Sequence, residues 1–314
     1  MKKTTVWIKA DDGVNLFSRR WVPDEASFPV PRALVQIVHG MGEHSARYEG
    51  VAERLCASGY EVWADDHRGH GETARGGILG HTADTDGFFR VVRDLSRWSD
   101  EIIALRPCVP LFLVGHSWGS FLAQAYIEKQ GSRLSGCVLS GTRGPGGPEV
   151  LIGSILSSIV AGLFGSRRHS AFLKNLADGK LNTQFMPNRT EFDWLSRDEK
   201  VVDAYVADPL CGFHLSAGFY RDLTSGFQSI HRQSSISRIP KQLPIYVVSG
   251  ALDPVGLNGK SPSALVAAYR AAGIVDLEFV LYPDARHEIF NETNRDEVLG
   301  ALVSWLDRHT KPAA

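Results

Sequence analysis

The chain has no run of five like charges, no apolar stretch long enough to cross a membrane, and only four cysteines in 314 residues. Its 34 Lys and Arg against 35 Asp and Glu leave a formal net charge of −1. That balance gives no reason to expect a nucleic-acid partner or a strongly charged substrate. Cys56, Cys108, Cys137 and Cys211 show no Cys-x-x-Cys pair and no metal-ligand spacing. They are expected to be free, buried thiols of a reducing cytoplasm rather than a disulfide framework. One uncharged stretch, residues 150–166, is 17 residues long and contains Gly153, Gly162, Gly165 and four serines. A spanning helix needs about 20 predominantly apolar residues, so this segment is too short and too polar. Met1-Lys2-Lys3 could open a signal peptide, but Lys9, Asp11 and Asp12 break any apolar segment behind it, and no secretory leader is expected.

What is present is a composition, 43% hydrophobic and 22% charged, that suits a large buried core. Residues 6–10 and 16–21, separated by Asp11-Asp12-Gly13, read as a β-hairpin. Strand-like segments then alternate with helix-like ones: strands at 33–38, 60–64, 111–114 and 137–139, helices at 47–58, 86–106 and 118–130. In the long helix 86–106, Phe89, Val92 or Arg93, Leu95 or Ser96, and Ile103 are expected near the inner stripe. The rhythm resumes at 245–249 (strand), 261–272 (helix), 277–282 (strand) and 295–308 (helix). Such alternation predicts an α/β fold, a mostly parallel sheet flanked by helices and begun by an antiparallel hairpin. Between the turn-rich Gly144-Pro145-Gly146-Gly147-Pro148 and about Ile239 the alternation fails. Helical stretches near 150–164, 168–177, 198–206 and 215–230 replace it, with no convincing strand. Residues 1–143 and 240–314 are therefore read as the core, and 144–239 as a helical insertion capping the sheet's carboxyl edge.

Gly115-His116-Ser117-Trp118-Gly119 follows an apolar strand and precedes a helix, the context that the G-x-S-x-G motif requires. A serine on so sharp a turn projects its hydroxyl out of the sheet, which makes Ser117 the candidate nucleophile. Chemistry in open α/β sheets sits at the carboxyl ends of strands, so the acid and base should follow later strands in the order Ser, Asp, His. Asp253 follows the strand 245–249, and His287 follows the strand 277–282. Asp284, on the histidine's own loop, reads as a solvated turn residue. His81, His169, His214, His231 and His309 are read as structural. Two backbone donors should face the developing oxyanion: the N–H of Trp118, and that of Met41 in the glycine-framed loop His39-Gly40-Met41-Gly42-Glu43-His44.

The segment His-Gly-Met-Gly-Glu-His-Ser-Ala-Arg-Tyr at 39–48, Asp66-His67-Arg68-Gly69-His70-Gly71, the serine turn, and the Asp253 and His287 loops together resemble the monoacylglycerol lipase/lysophospholipase group of α/β-hydrolases, which is serine aminopeptidase S33-like. The resemblance runs from about residue 5 to 309 and is weakest in the insertion. It implies the α/β-hydrolase fold with an eight-stranded sheet, a Ser117, Asp253 and His287 triad, and Met41 and Trp118 as oxyanion donors. Two departures stand out. Trp118 and Ser120 replace the methionine and glycine frequent in such motifs, and the indole either narrows the acyl pocket or packs under the cap. The loop 254–260 is also longer than a minimal turn. Asp66 and Arg68 are expected to bond to backbone and to each other, Glu43 and His44 to brace the oxyanion loop, and Arg286 and Glu288 to point away from the histidine.

The expected reaction is two-step acyl transfer on a lipid-like ester, most simply a monoacylglycerol or lysophospholipid, with no cofactor and no metal. Ile152, Ile155, Leu156, Ile159, Val160 and Leu163 form a wide helical stripe. It either packs on the core, or lines an acyl tunnel or rests transiently on a membrane or micelle surface. A broad short- or medium-chain carboxylesterase, an S33-type aminopeptidase and a non-catalytic ligand-binding module are the alternatives; the last normally lacks a triad member.

Overall fold

The computed structural model describes residues 1–310. Strands β1 (Lys2–Lys9) and β2 (Asn15–Val22) form the opening antiparallel hairpin, with Lys2 opposite Val22 and Lys9 opposite Asn15. There follow β3 (Ala33–Val38), α1 (Glu49–Ala57), β4 (Tyr60–Asp66), α2 (Gly87–Leu105), β5 (Leu111–His116), α3 (Trp118–Gln130) and β6 (Gly136–Ser140). Five helices come next: α4 (Pro148–Phe164), α5 (Ala171–Asp178), α6 (Glu199–Ala207), α7 (Ala217–Ile230) and α8 (Gln233–Ile236). The chain closes with β7 (Ile245–Gly250), α9 (Lys260–Ala271), β8 (Leu277–Tyr282) and α10 (Arg295–His309).

The eight strands make one sheet in the order β1-β2-β4-β3-β5-β6-β7-β8. β2 runs antiparallel to β4, and every later pairing is parallel. β3 to β7 are buried at every position, as parallel strands covered on both faces must be. One face packs Leu34, Val38 and Leu113 against Val91, Leu95 and Trp98 of α2 and Leu122 and Tyr126 of α3. The other packs Val35, Ile37 and Val62 against Leu55 of α1 and Leu302 and Trp305 of α10. No helix among the described residues is long and apolar enough to cross a membrane.

Three expectations require correction. The inner stripe of α2 is Phe88, Val91, Val92, Leu95, Trp98 and Ile102, with Phe89 and Ile103 only partly buried. Val92 and Leu95 are buried as expected, but Phe88 and Ile102 rather than Phe89 and Ile103 complete the stripe, with Val91 and Trp98 between them. Cys56, Cys137 and Cys211 are buried, but Cys108 is exposed on the turn before β5, at φ 68°. Most large residues of the α4 stripe do not pack on the core; of the stripe, Val160 is partly buried against it. α4 meets α7 through its small residues, with Ser157 and Ala161 buried and Ser157 Oγ 3.4 Å from Thr224 Oγ1. Small residues let the two helices approach closely, and Ile152, Ile155, Ile159 and Leu163 are left 50–74% exposed.

Candidate active site

At the end of β5 the chain turns through Ser117, which takes φ 53° and ψ −123°. Non-glycine residues adopt such backbone only where the surroundings over-determine it. Here Ser117 N–H donates to Ser140 O at 2.9 Å, and Ser120 Oγ lies 2.5 Å from Ser117 O and 2.8 Å from Thr142 Oγ1. Ser120 thus replaces a glycine with a side chain that fastens the turn. Gly119 is required by close approach: a Cβ there would collide with the carbonyl oxygens of Val38 and His39, where α3 crosses the end of β3.

The loops after β7 and β8 bring Asp253 and His287 to the same edge of the sheet. His287 Nδ1 lies 3.0 Å from Asp253 Oδ1. The approach is off the line of a good hydrogen bond, and Nε2 also has no partner among the described residues; such bonds commonly tighten only when substrate is bound. Asp253 is fully buried and accepts from Val255 N–H at 2.9 Å and from Ser249 Oγ at 3.3 Å. Burial raises its pKa, but the imidazole and the backbone N–H groups of Val255 and Gly256 outweigh burial and hold it below the ordinary carboxylate value. Burial likewise disfavours the imidazolium, yet Asp253, with Glu288 and Glu43 behind it, sets the His287 pKa above the ordinary histidine value. Gly141, at φ 57°, leaves room for the ring, since a Cβ there would stand 3.0 Å from His287 Cε1. Asp284 is an exposed turn residue at φ 58°.

The loop after β3 is held from several sides. Glu43 Oε1 accepts from Gly40 N–H at 2.6 Å and from the Tyr48 hydroxyl at 2.8 Å. His39 Nδ1–H faces Gly40 O at 2.7 Å while its Nε2 accepts from His67 N–H at 3.0 Å. His70 Nε2 accepts from Gly42 N–H at 3.2 Å. Both rings must be neutral to accept these protons, and burial lowers both pKa values, that of His70 to about 3. From the helical segment, the Tyr205 hydroxyl and Gly212 N–H both donate to Gly42 O at 2.9 Å. With its neighbours so fixed, Met41 N–H finds no acceptor in the described chain, and neither does Trp118 N–H.

Sequence reasoning missed a largely buried cation joining these loops. Arg47 donates to Glu43 at 2.6 Å and to both oxygens of Glu288 at 2.6 and 2.7 Å. Glu288 therefore does not point away. It is buried beside His287, and despite burial Arg47 holds its carboxyl far down, at about 2. The only available signal was the Arg47 and Glu288 charges flanking motif residues, 241 positions apart. Asp66 and Arg68 do not bond to each other. Asp66 accepts from Ser45 N–H and Glu72 N–H, while Arg68 pairs with Asp94 and Asp12. Glu43 and His44 do hold the loop after β3 in place, His44 through Asp208 at 2.8 Å.

Ser117, His287, Met41 and Trp118 open into one cavity of about 740 Å³, enclosed by α4, α5, α7 and the loop after Asp253. Its walls include Phe121, Leu173, Leu181, Phe213, Leu223 and Phe227. The Trp118 indole lies between His70 and Phe219 of α7, at ring-centroid distances of 5.3 and 4.8 Å, and is buried. It packs under the helical segment with an edge on the cavity.

A crystal structure of a highly thermostable carboxyl esterase from Bacillus coagulans, in complex with glycerol, superposes with a TM-score of 0.90 at 28% identity, covering 99% of this chain and 100% of that one. Fold and site together define an enzyme of the α/β-hydrolase class. The family described as serine aminopeptidase, S33 matches residues 29–294, and the chain belongs to it. It is 33% identical over 305 residues to a monoacylglycerol lipase of Mycolicibacterium smegmatis, covering 95% of this chain and 94% of that one. It is 28% identical over 307 residues to the monoglyceride lipase of Homo sapiens, covering 96% and 90%.

Proposed function

We propose that the chain is a serine hydrolase of carboxylic esters with lipid-like acyl groups, monoacylglycerols or lysophospholipids, working through an acyl-enzyme. The observation that carries this is a Ser117 hydroxyl, an unpartnered His287 Nε2 and two free backbone N–H groups facing one largely apolar cavity. In this reading His287 takes the Ser117 proton as the oxygen attacks the ester carbonyl. Asp253 orients the ring and stabilises the imidazolium. Met41 and Trp118 N–H receive the oxyanion, each worth about 2.7–4 kcal/mol of transition-state stabilisation. His287 then protonates the departing alcohol, and water, activated by the same ring, releases the acid. The helices of residues 144–239 act as a cap over this reaction. Each buried acyl methylene adds about 0.8 kcal/mol, so rate rises with chain length until the cavity is full. The outward apolar face of α4 supports transient contact with a membrane or micelle surface, and the four unpaired thiols support a reducing, cytoplasmic setting.

One observation serves a second reading, the aminopeptidase of the family's description. Asp178 Oδ1 is buried on the cavity side of α5 with no hydrogen-bond partner, a carboxylate available to a substrate amine. Burial lifts its pKa to about 6, so the group is mostly ionised at neutral pH and loses its charge only in mild acid. A panel of monoacylglycerols, lysophospholipids, p-nitrophenyl esters of graded length and an aminoacyl amide decides between them. Fastest turnover of the amide, or an ester profile flat from C2 to C12, would overturn the lipid-ester reading.

A further inference from the structure

Beside the oxyanion loop lies a cluster that the proposed hydrolysis does not use. A ring nitrogen of His44, a carboxylate oxygen of Asp208 and the thiol of Cys211 all fall within 4.8 Å of one another. His44 and Cys211 are buried, and Asp208 is 32% exposed. His44 Nε2 and Asp208 Oδ2 are already 2.8 Å apart, while His44 Nδ1 is buried with no partner. Asp208 Oδ1 accepts from Leu210 N–H at 2.8 Å, which orients the carboxylate.

We propose that His44, Asp208 and Cys211 form a binding site for a thiophilic divalent cation of the Zn²⁺ kind. Nitrogen, oxygen and sulfur together are a donor set for such a metal, which sits about 2.0–2.3 Å from each ligand and holds ligands about 3.3–3.8 Å apart. The pair already in contact needs little change, and a modest rotation of the Cys211 side chain completes three ligands. The exposed side of Asp208 supplies the entry path and a position for water as the fourth ligand. Charge also favours a cation. Arg47, the nearby guanidinium, is engaged by both Glu43 and Glu288, so the surroundings hold two carboxylates against one positive charge before Asp208 is counted. Binding displaces the Cys211 proton to solvent and involves no redox change. The second three-residue cluster, Asp276, Glu278 and His309, is engaged otherwise: Glu278 pairs with Arg308, and the group lies at the surface.

The site's position gives it a consequence. Gly212, the residue after Cys211, donates to Gly42 O, and His44 ends the oxyanion loop. A metal here staples the segment after α6 to that loop, a second fastening across the seam held by Tyr205 and Gly212.

The test uses the full chain carrying Cys108→Ser, so that the exposed thiol cannot bind metal, after treatment with a chelator. Zn²⁺ is titrated by calorimetry, and Cd²⁺ by the ultraviolet thiolate-to-metal charge-transfer band. The expected result is saturable binding of one metal per chain, the charge-transfer band, and a Tm raised by several degrees at saturating Zn²⁺. Cys211→Ser should abolish the band, and Asp208→Asn should weaken binding by more than about tenfold, the lower bound for losing even an outer-shell partner. Asp208→Asn lies at the surface and keeps the test open if Cys211→Ser folds poorly. No saturable Zn²⁺ binding by the Cys108→Ser protein, or binding unchanged in the folded Asp208→Asn variant, overturns the site and leaves His44 and Asp208 as a hydrogen-bonded pair only.

Discussion

Arg47 donates two parallel hydrogen bonds to Glu288, Nη1 to Oε1 at 2.6 Å and Nη2 to Oε2 at 2.7 Å, while the same Nη1 reaches Glu43. The guanidinium thereby ties the loop after β3 to the residue that follows His287. Two loops that meet only in the folded chain share one largely buried charge.

Arg47→Ala should leave two buried carboxylates without their cation, a loss of about 3–5 kcal/mol. A Tm lowered by roughly 5–8 °C is the expected readout in a thermal melt, with kcat reduced in parallel. Unchanged Tm would mean that the pair is not held as described. The low Glu288 pKa adds a pH signature. Its stabilising contribution is present above the ordinary glutamate value of 4.5 and disappears as pH falls from there toward about 2, so acid should narrow the gap between wild type and Arg47→Ala.

His287 must be neutral to act as a base, and its pKa lies above the ordinary histidine value of 6.5. The acid limb of kcat/KM should therefore have its midpoint above 6.5, with activity falling as pH drops through it. Glu288→Gln removes a negative charge that favours the imidazolium, so the limb should move to lower pH. A shift to higher pH, or none, would remove Glu288 from the electrostatics of the site.

Ser117→Ala should fold, retain a native melt and lose at least about 10⁴-fold in kcat, together with all labelling by a fluorophosphonate probe. Retained esterase turnover in the purified variant would contradict Ser117 as nucleophile.

Gly141→Ala places a methyl group against His287 at a backbone conformation that L-residues rarely adopt. A drop in kcat with KM nearly unchanged is expected, because the ring is displaced while the cavity is left alone. Equal kcat in the variant would show that His287 tolerates displacement.

Ile155→Ser combined with Leu163→Ser should reduce sedimentation of the protein with phospholipid vesicles, since both side chains are more than half exposed on the outer face of α4. Turnover of a short, soluble p-nitrophenyl ester should stay within twofold of wild type. Equal vesicle binding would rule out this face as the contact.

Much of this was legible in the chain. Hydrophobic alternation located every strand of the sheet, because a buried parallel strand must be largely apolar along its length, as 111–114 is and 33–38 is apart from Gln36. The serine turn, and the rule that partners follow later strands, singled out Asp253 and His287, whose contact at 3.0 Å the fold supplies. Helix α2 was located correctly with Val92 and Leu95 inward, but the ends of its stripe were misplaced by one residue, since the exact facing depends on which large side chain, here Trp98, finds space on the sheet.

Sequence by itself determined which elements exist and which residues are candidates for chemistry, because backbone periodicity and turn chemistry are local properties. Only the tertiary structure decided which distant charges meet. Arg47 with Glu288, and His44 with Asp208 and Cys211, are separated by 241 and at least 164 positions, and no local pattern encodes a partner at that range. It also decided that α4 turns its small residues inward and most of its large ones to solvent. Periodicity shows that a helix has an apolar face, but close helix packing selects the face that is buried.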